Sequence, residues 1–149
     1  MDIGSGKSYP ANALSNFSPH PFIFDSVECN SMEGLLQSFK FDKIPVQIEV
    51  CKLIGIAAKK RGRKRNHNWQ KVQRLWWNGR SYARDSKEYQ ELLDRAYQAI
   101  FNQSESFRKA LKASKDSVLT HSIGCSKEEL TVLTEREFCS RLRKLRDKL

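Results

Sequence analysis

The segment Asn30-Ser31-Met32-Glu33-Gly34-Leu35-Leu36-Gln37-Ser38-Phe39-Lys40-Phe41 decides the fold class. Met32, Leu35, Leu36 and Phe39 recur at helical spacing and build one apolar face. Asn30 caps this predicted helix, Glu33 completes a capping box three residues later, and Pro45 ends the segment. Glu33, Gln37 and Lys40 fall at i, i+4 and i+7, so they form a polar stripe beside the apolar face. Two turns, about 10 Å, separate Glu33 from Lys40. Two long side chains at that spacing can converge on a sugar-sized ligand. The helix dipole favours an ionised Glu33 in the first turn, suited to work as a general base or to stabilise developing positive charge. The plainer alternative makes Glu33 a capping partner and Lys40 a solvated lysine.

Upstream, Phe22-Ile23-Phe24 and Val27-Glu28-Cys29 flank Asp25-Ser26 as a short β-hairpin. Residues 1–12 belong to an irregular polar segment punctuated by Gly4, Gly6 and Pro10. Gly4-Ser5-Gly6-Lys7-Ser8 fails as a phosphate loop, because the position that needs the further glycine is Met1 and no strand precedes it. Downstream, Val46, Val50, Leu53 and Ala57 predict a second helix that runs into Lys59-Lys60-Arg61-Gly62-Arg63-Lys64-Arg65. A third helical stretch, Trp69 to Trp77, stops at Asn78-Gly79. Asp85 with Glu88 caps a longer helix carrying Tyr89, Leu92, Leu93, Ala96, Tyr97 and Ile100. Phe107, Ala110 and Leu111 mark a short helix. Ser117–Ile123 and Leu130–Leu133 are β-prone, and Thr134 with Glu137 caps a last helix with Phe138, Leu142 and Leu145 inward. The expectation is a mainly α chain with a few short β-strands, a single compact domain over 1–149.

Composition narrows the function. The 149 residues carry 27 Lys and Arg against 17 Asp and Glu, a formal charge of +10, and 39% of residues are hydrophobic. That is enough apolar content for a core and argues against wholesale disorder. No apolar run has the length of a membrane span, and Met1–Pro10 has no signal-peptide core, so a cytoplasmic location is expected. Cys29, Cys51, Cys125 and Cys139 lack the close pairing of zinc ligands, as do His20, His67 and His121; reduced thiols and no bound metal are expected. Lys59, Lys60, Arg61, Arg63, Lys64 and Arg65 are candidate phosphate contacts of a nucleic acid, with a solvated charged loop as the alternative. His121, inside the β-prone run, is a hydrogen-bonded structural residue or a site residue.

The residues also resemble a known family. Leu14-Ser15-Asn16-Phe17-Ser18-Pro19, then Pro21-Phe22, then Ser31-Met32-Glu33-Gly34 through Gln37 and Lys40-Phe41, are similar to the opening signature of the NADAR, or YbiA-like, family. Its pattern is Ser-Asn-Phe-x-Pro followed by Thr/Ser-x-Glu-His-x-x-Gln-x-x-Lys-Phe. Looser similarity covers Leu75–Gly79, Ala96–Phe107, Val118–Ser122 and Leu133–Arg146. Two departures mark a divergent branch. Gly34 stands where a histidine is usual, and Leu133–Phe138 replaces a Trp-Gly-rich segment.

The resemblance implies a mainly α fold with small β elements and N-glycosidase chemistry without a cofactor. Its implied substrates are ADP-ribosylated guanine in DNA, as in antitoxin or phage-defence systems with a cognate ADP-ribosyltransferase, or phosphoribosylamino-pyrimidines of riboflavin synthesis. The high positive charge favours DNA. A module that binds ADP-ribose or nucleic acid without cleaving it is the third reading, kept open by Gly34. On this resemblance Glu33 stabilises the anomeric cation or activates water, and Lys40 binds a ribose or phosphate oxygen or forms a Schiff base. An ionised Glu33 opposes the lowered pKa that a Schiff-base lysine needs. Asn16, Phe17, Gln37 and His121 are implied substrate contacts, and Trp77 is a base-stacking platform.

Overall fold

A computed structural model describes all 149 residues. Two antiparallel hairpins and seven helices surround one apolar core: β1 (Phe22–Phe24), β2 (Val27–Cys29), α1 (Met32–Ser38), α2 (Ile44–Cys51), α3 (Gly55–Arg63), α4 (Asn66–Val72), β3 (Arg74–Trp77), β4 (Arg80–Ala83), α5 (Lys87–Gln103), α6 (Glu105–Ala113) and α7 (Glu135–Arg146). The mainly α class expected from periodicity is the class observed, and the Phe22–Cys29 hairpin forms in the expected register. All six apolar residues named for α5 are buried, as are Phe107, Ala110 and Leu111 of α6 and Phe138, Leu142 and Leu145 of α7. The Thr134–Glu137 capping box is present.

Two other caps shift by one residue. Ser31, not Asn30, caps α1 by accepting from Gly34 N, and Asn30 donates instead to Lys52 O. Ser86, not Asp85, caps α5 through Tyr89 N. The serine side chain is short enough to turn back onto the third helical amide. Pro45 does not end α1; it opens α2, where its missing N–H costs nothing. The expected stripe Val46–Ala57 is broken between α2 and α3, with Gly55 at φ +54° starting the new helix and Ala58 rather than Ala57 buried.

The largest correction concerns Trp69–Trp77. Only Asn66–Val72 is helical; Gln73 closes it in a left-handed conformation and Arg74–Trp77 becomes β3. Asn78 and Gly79, at φ 51° and 88°, are the two-residue turn between β3 and β4, since both central residues of a type I′ turn need positive φ.

Neither β-prone run downstream is a strand. Ser117–Ile123 makes one parallel bridge, Thr120 to Asp2, extended only by the Met1 amino group donating to Val118 O. In the segment 129–132, side chains take the carbonyls that a sheet would use. Gln73 donates to Glu129 O, Gln70 to Leu130 O, Arg84 to Thr131 O and Tyr89 to Val132 O. Arg84, 1% exposed, also holds Glu137 of α7 through both carboxylate oxygens at 2.7 and 3.1 Å.

α1 lies against the chain between α2 and α3 at van der Waals limits. A Cβ on Gly34 would stand 2.6 Å from Leu53 O and 3.0 Å from the carbonyls of Cys51 and Val50. On the other flank, a Cβ on Gly62 would collide with the Gln37 side chain. Gly34→Ala is therefore expected to lose about 1–3 kcal/mol, a fall of roughly 3–10 °C in Tm. A thermal melt followed by circular dichroism that moves by less than about 1 °C would contradict this packing.

Candidate active site

The polar stripe of α1, continued by Lys40 in the turn just after the helix rather than on it as the periodicity predicts, opens into a cavity of about 290 Å³. Glu33, Gln37 and Lys40 form one wall, Asn16 and Phe17 a second, Lys59, Arg63 and Asn66 a third, and the loops at 121–125 and 130–133 the remainder over Phe138. The stripe expected on α1 thus converges on one space.

The two signature segments are joined by a backbone bond. Glu33 N, one of the amides left free at the start of α1, donates to Asn16 O at 3.0 Å. The Asn16 side chain is oriented from below: the Tyr97 hydroxyl donates to its Oδ1 at 2.8 Å. Burial drives the Tyr97 pKa well above the ordinary phenol range, so the hydroxyl stays a donor. The Asn16 NH₂, which lines the cavity, has no protein partner.

Glu33 does not serve the helix cap. Its Oε2 accepts from Gln37 Nε2 at 2.7 Å. Burial raises its pKa despite the opposing hydrogen bond from Gln37 and the fields of Lys40, Lys59 and His121. The helix dipole therefore does not decide its charge; desolvation does. Such a carboxyl holds a proton to higher pH than a solvated one and accepts one more readily when ionised.

Lys40 is 6% exposed and donates to Asn66 Oδ1 at 2.6 Å. Burial pulls its pKa down to about 8; Glu33 opposes the shift, and Lys59 and Arg63 add to it. The tension between an ionised Glu33 and a lowered lysine pKa resolves in favour of lowering, because desolvation and two like charges outweigh one carboxylate.

His121 sits on the loop facing α1. Its Nδ1 lies 2.8 Å from Ile3 O, which only accepts, so Nδ1 carries hydrogen and Nε2 is left without a protein partner. Its backbone N–H donates to Glu135 Oε1 at 2.9 Å, fixing the loop to α7.

Trp77 is not at the site. It is 2% exposed, stacked on Phe24 at 5.5 Å between centroids, met edge-on by Phe39 at 5.7 Å, and its indole N–H donates to Asp25 Oδ2. With its ring packed between core aromatics, it offers no platform for a base. The basic run is not a loop either: it forms the second half of α3 and the turn after it. Lys59 and Arg63 line the cavity, whereas Arg61 and Arg65 lie over the Phe41 ring at 4.9 and 5.8 Å. Cys29, Cys51 and Cys139 are buried free thiols, and Cys125 is half-buried on the cavity wall. Sequence reading missed Asn66 and Tyr97. Asn66 carried no periodic signal, and Tyr97 was legible only as a core residue, although a buried phenol always needs a partner.

A profile of the family described as bacteriophage protein GP30.3 matches residues 8–147. The chain belongs to the bacteriophage GP30.3 family. A relative in Enterobacteria phage T4, an uncharacterized 17.1 kDa protein in the Gp30-rIII intergenic region, is 39% identical over 154 aligned positions, spanning all of this chain and 98% of that protein. The GP30.3-family fold is also similar to the NMR structure of the E. coli protein YbiA, with a TM-score of 0.65 and 17% identity over 99% of this chain and 83% of that one. The fold is therefore YbiA-like. No helix of this GP30.3-family member is long and apolar enough to cross a membrane.

The electrostatics of the cavity yield a direct test. Removing the Glu33 charge removes the one field that holds Lys40 up. In protein carrying ¹³C-labelled lysine, the Lys40 Cε resonance is expected to titrate near 8 in the wild type and at lower pH in Glu33→Gln. An unchanged or higher midpoint in the variant would contradict the coupling.

Proposed function

We propose that the cavity is the active site of an N-glycosidase that hydrolyses a ribosyl C–N bond and releases ADP-ribose from guanine in DNA. The observation that carries the reading is the convergence of the half-buried Glu33 carboxyl and the buried Lys40 amine on one cavity, with the Asn16 amide beside them. The resemblance of the Asn16 and Glu33 segments to the NADAR signature supports it, as does the YbiA-like fold.

In this mechanism the C–N bond breaks with its electron pair passing to the guanine nitrogen, which takes up a proton, while positive charge builds at the anomeric carbon and water supplies the new C–O bond and loses a proton. The Glu33 carboxylate stabilises that charge or takes the proton from the attacking water. The Asn16 NH₂ and Phe17 orient the ribose. Lys40 at neutral pH is mostly a cation and holds a ribose or phosphate oxygen. Its lowered pKa also leaves a neutral fraction able to attack the ring-opened aldehyde, the observation that favours a Schiff-base route as a second reading. Borohydride trapping of a Lys40 adduct distinguishes the routes.

Gly34 counts less against catalysis than its place in the signature implies. That position faces the carbonyls of Val50–Leu53, so a histidine there has no room in this chain. This weakens the reading of a module that binds without cleaving. The charge of +10 favours DNA over a small phosphoribosylamino-pyrimidine. A phage family is a fitting context for reversing a DNA mark installed by a cognate ADP-ribosyltransferase.

Mass spectrometry of DNA carrying ADP-ribosylated guanine tests the proposal. Wild type is expected to release ADP-ribose, and Glu33→Gln to lose roughly 10³-fold in rate while melting within about 2 °C of wild type. No release by wild type, or undiminished release by the variant, would contradict it.

A further inference from the structure

The basic run between Lys59 and Arg65 looks uniform as sequence and is not uniform in the fold. Helical geometry sorts it into i, i+4 pairs with different neighbours. Arg61 and Arg65 are committed to the Phe41 ring. Lys60 and Lys64 are exposed away from the cavity and have no ion-pair partner. Lys59 and Arg63 line the cavity, and neither makes a hydrogen bond or ion pair with the protein.

Charge inside the cavity is unbalanced. Lys40, Lys59 and Arg63 face a single acidic residue, Glu33. The Lys40 amine is repelled by both of the other cations and is itself buried. Lys40 is buried beneath the exposed Lys59 and Arg63, so three cations converge on a space that holds one carboxyl, and a diphosphate carries enough charge to balance them. α3 is held against α1 by the packing of Gln37 on Gly62, so the helix that carries the two cations is in place before any ligand arrives.

We propose that Lys59 and Arg63, with Lys40 below them, form a subsite for the diphosphate of the ligand, and that the polynucleotide backbone is met separately by Lys60 and Lys64. The ligand's identity as an ADP-ribosyl group rests on the function proposed above; the anion subsite does not. An anion bound there favours the charged form of Lys40, so binding near pH 8 takes up protons from solution.

Calorimetry on the full chain tests this with two probes, inorganic pyrophosphate and an unmodified single-stranded oligonucleotide. K59Q/R63Q is expected to weaken pyrophosphate binding about ten-fold or more while changing oligonucleotide affinity less than about two-fold. K60Q/K64Q is expected to do the reverse and to reduce the slope of log K against log salt by about 1.4, about 0.7 for each lost contact. All four side chains sharing the loss of both probes equally, or no pyrophosphate binding by wild type, would overturn the assignment. If wild type binds pyrophosphate through Lys59 and Arg63 yet releases no ADP-ribose from DNA, the subsite stands and the glycosidase reading fails.

Discussion

The close approach of α1 to its two flanks is the constraint on which the cavity depends. At Gly34 the helix meets the carbonyls of Val50, Cys51 and Leu53, and at Gly62 the side chain of Gln37 occupies space that any Cβ would need. With α1 fixed this way, Glu33 and Lys40 cannot turn toward solvent as they would on an ordinary amphipathic helix. They are carried into a partly dehydrated space where burial raises one pKa and lowers the other. Packing thus precedes electrostatics, and electrostatics sets the chemistry open to the site.

A second layer of contacts holds the rest of the cavity wall. The Glu33 amide joins α1 to the Asn16 segment, and Tyr97 orients the Asn16 side chain from α5. Opposite them, the carbonyls of 129–132 are gripped by Gln70, Gln73, Arg84 and Tyr89, and Arg84 ties that segment to α7. A loop held by long-range side-chain bonds positions atoms as firmly as a strand would, without a neighbouring strand.

Much of this was legible in the sequence, for identifiable reasons. The stripes of α5, α6 and α7 repeat at 3.6 residues over enough length to be unambiguous, and Glu33, Gln37 and Lys40 share a face by spacing alone. Caps slipped by one because Asn30-Ser31 and Asp85-Ser86 each place two competent capping residues side by side. Asn78-Gly79 ends a helix or turns a hairpin equally well, and only the pairing of Arg74–Trp77 with Arg80–Ala83 decides. That pairing also took Trp77 from a stacking platform into the core. The division of the basic run was not legible, because it depends on the rotation of α3 fixed by Gly62 against Gln37, a contact between residues 25 positions apart.

The most direct test of the account is a crystal structure of Glu33→Gln soaked with ADP-ribose. Density is expected in the α1 cavity, with the anomeric carbon beside residue 33, the ribose within reach of Asn16, and the diphosphate against Lys59 and Arg63. Ligand found instead elsewhere on the surface, or an α1 cavity left empty at saturating ligand, would contradict it.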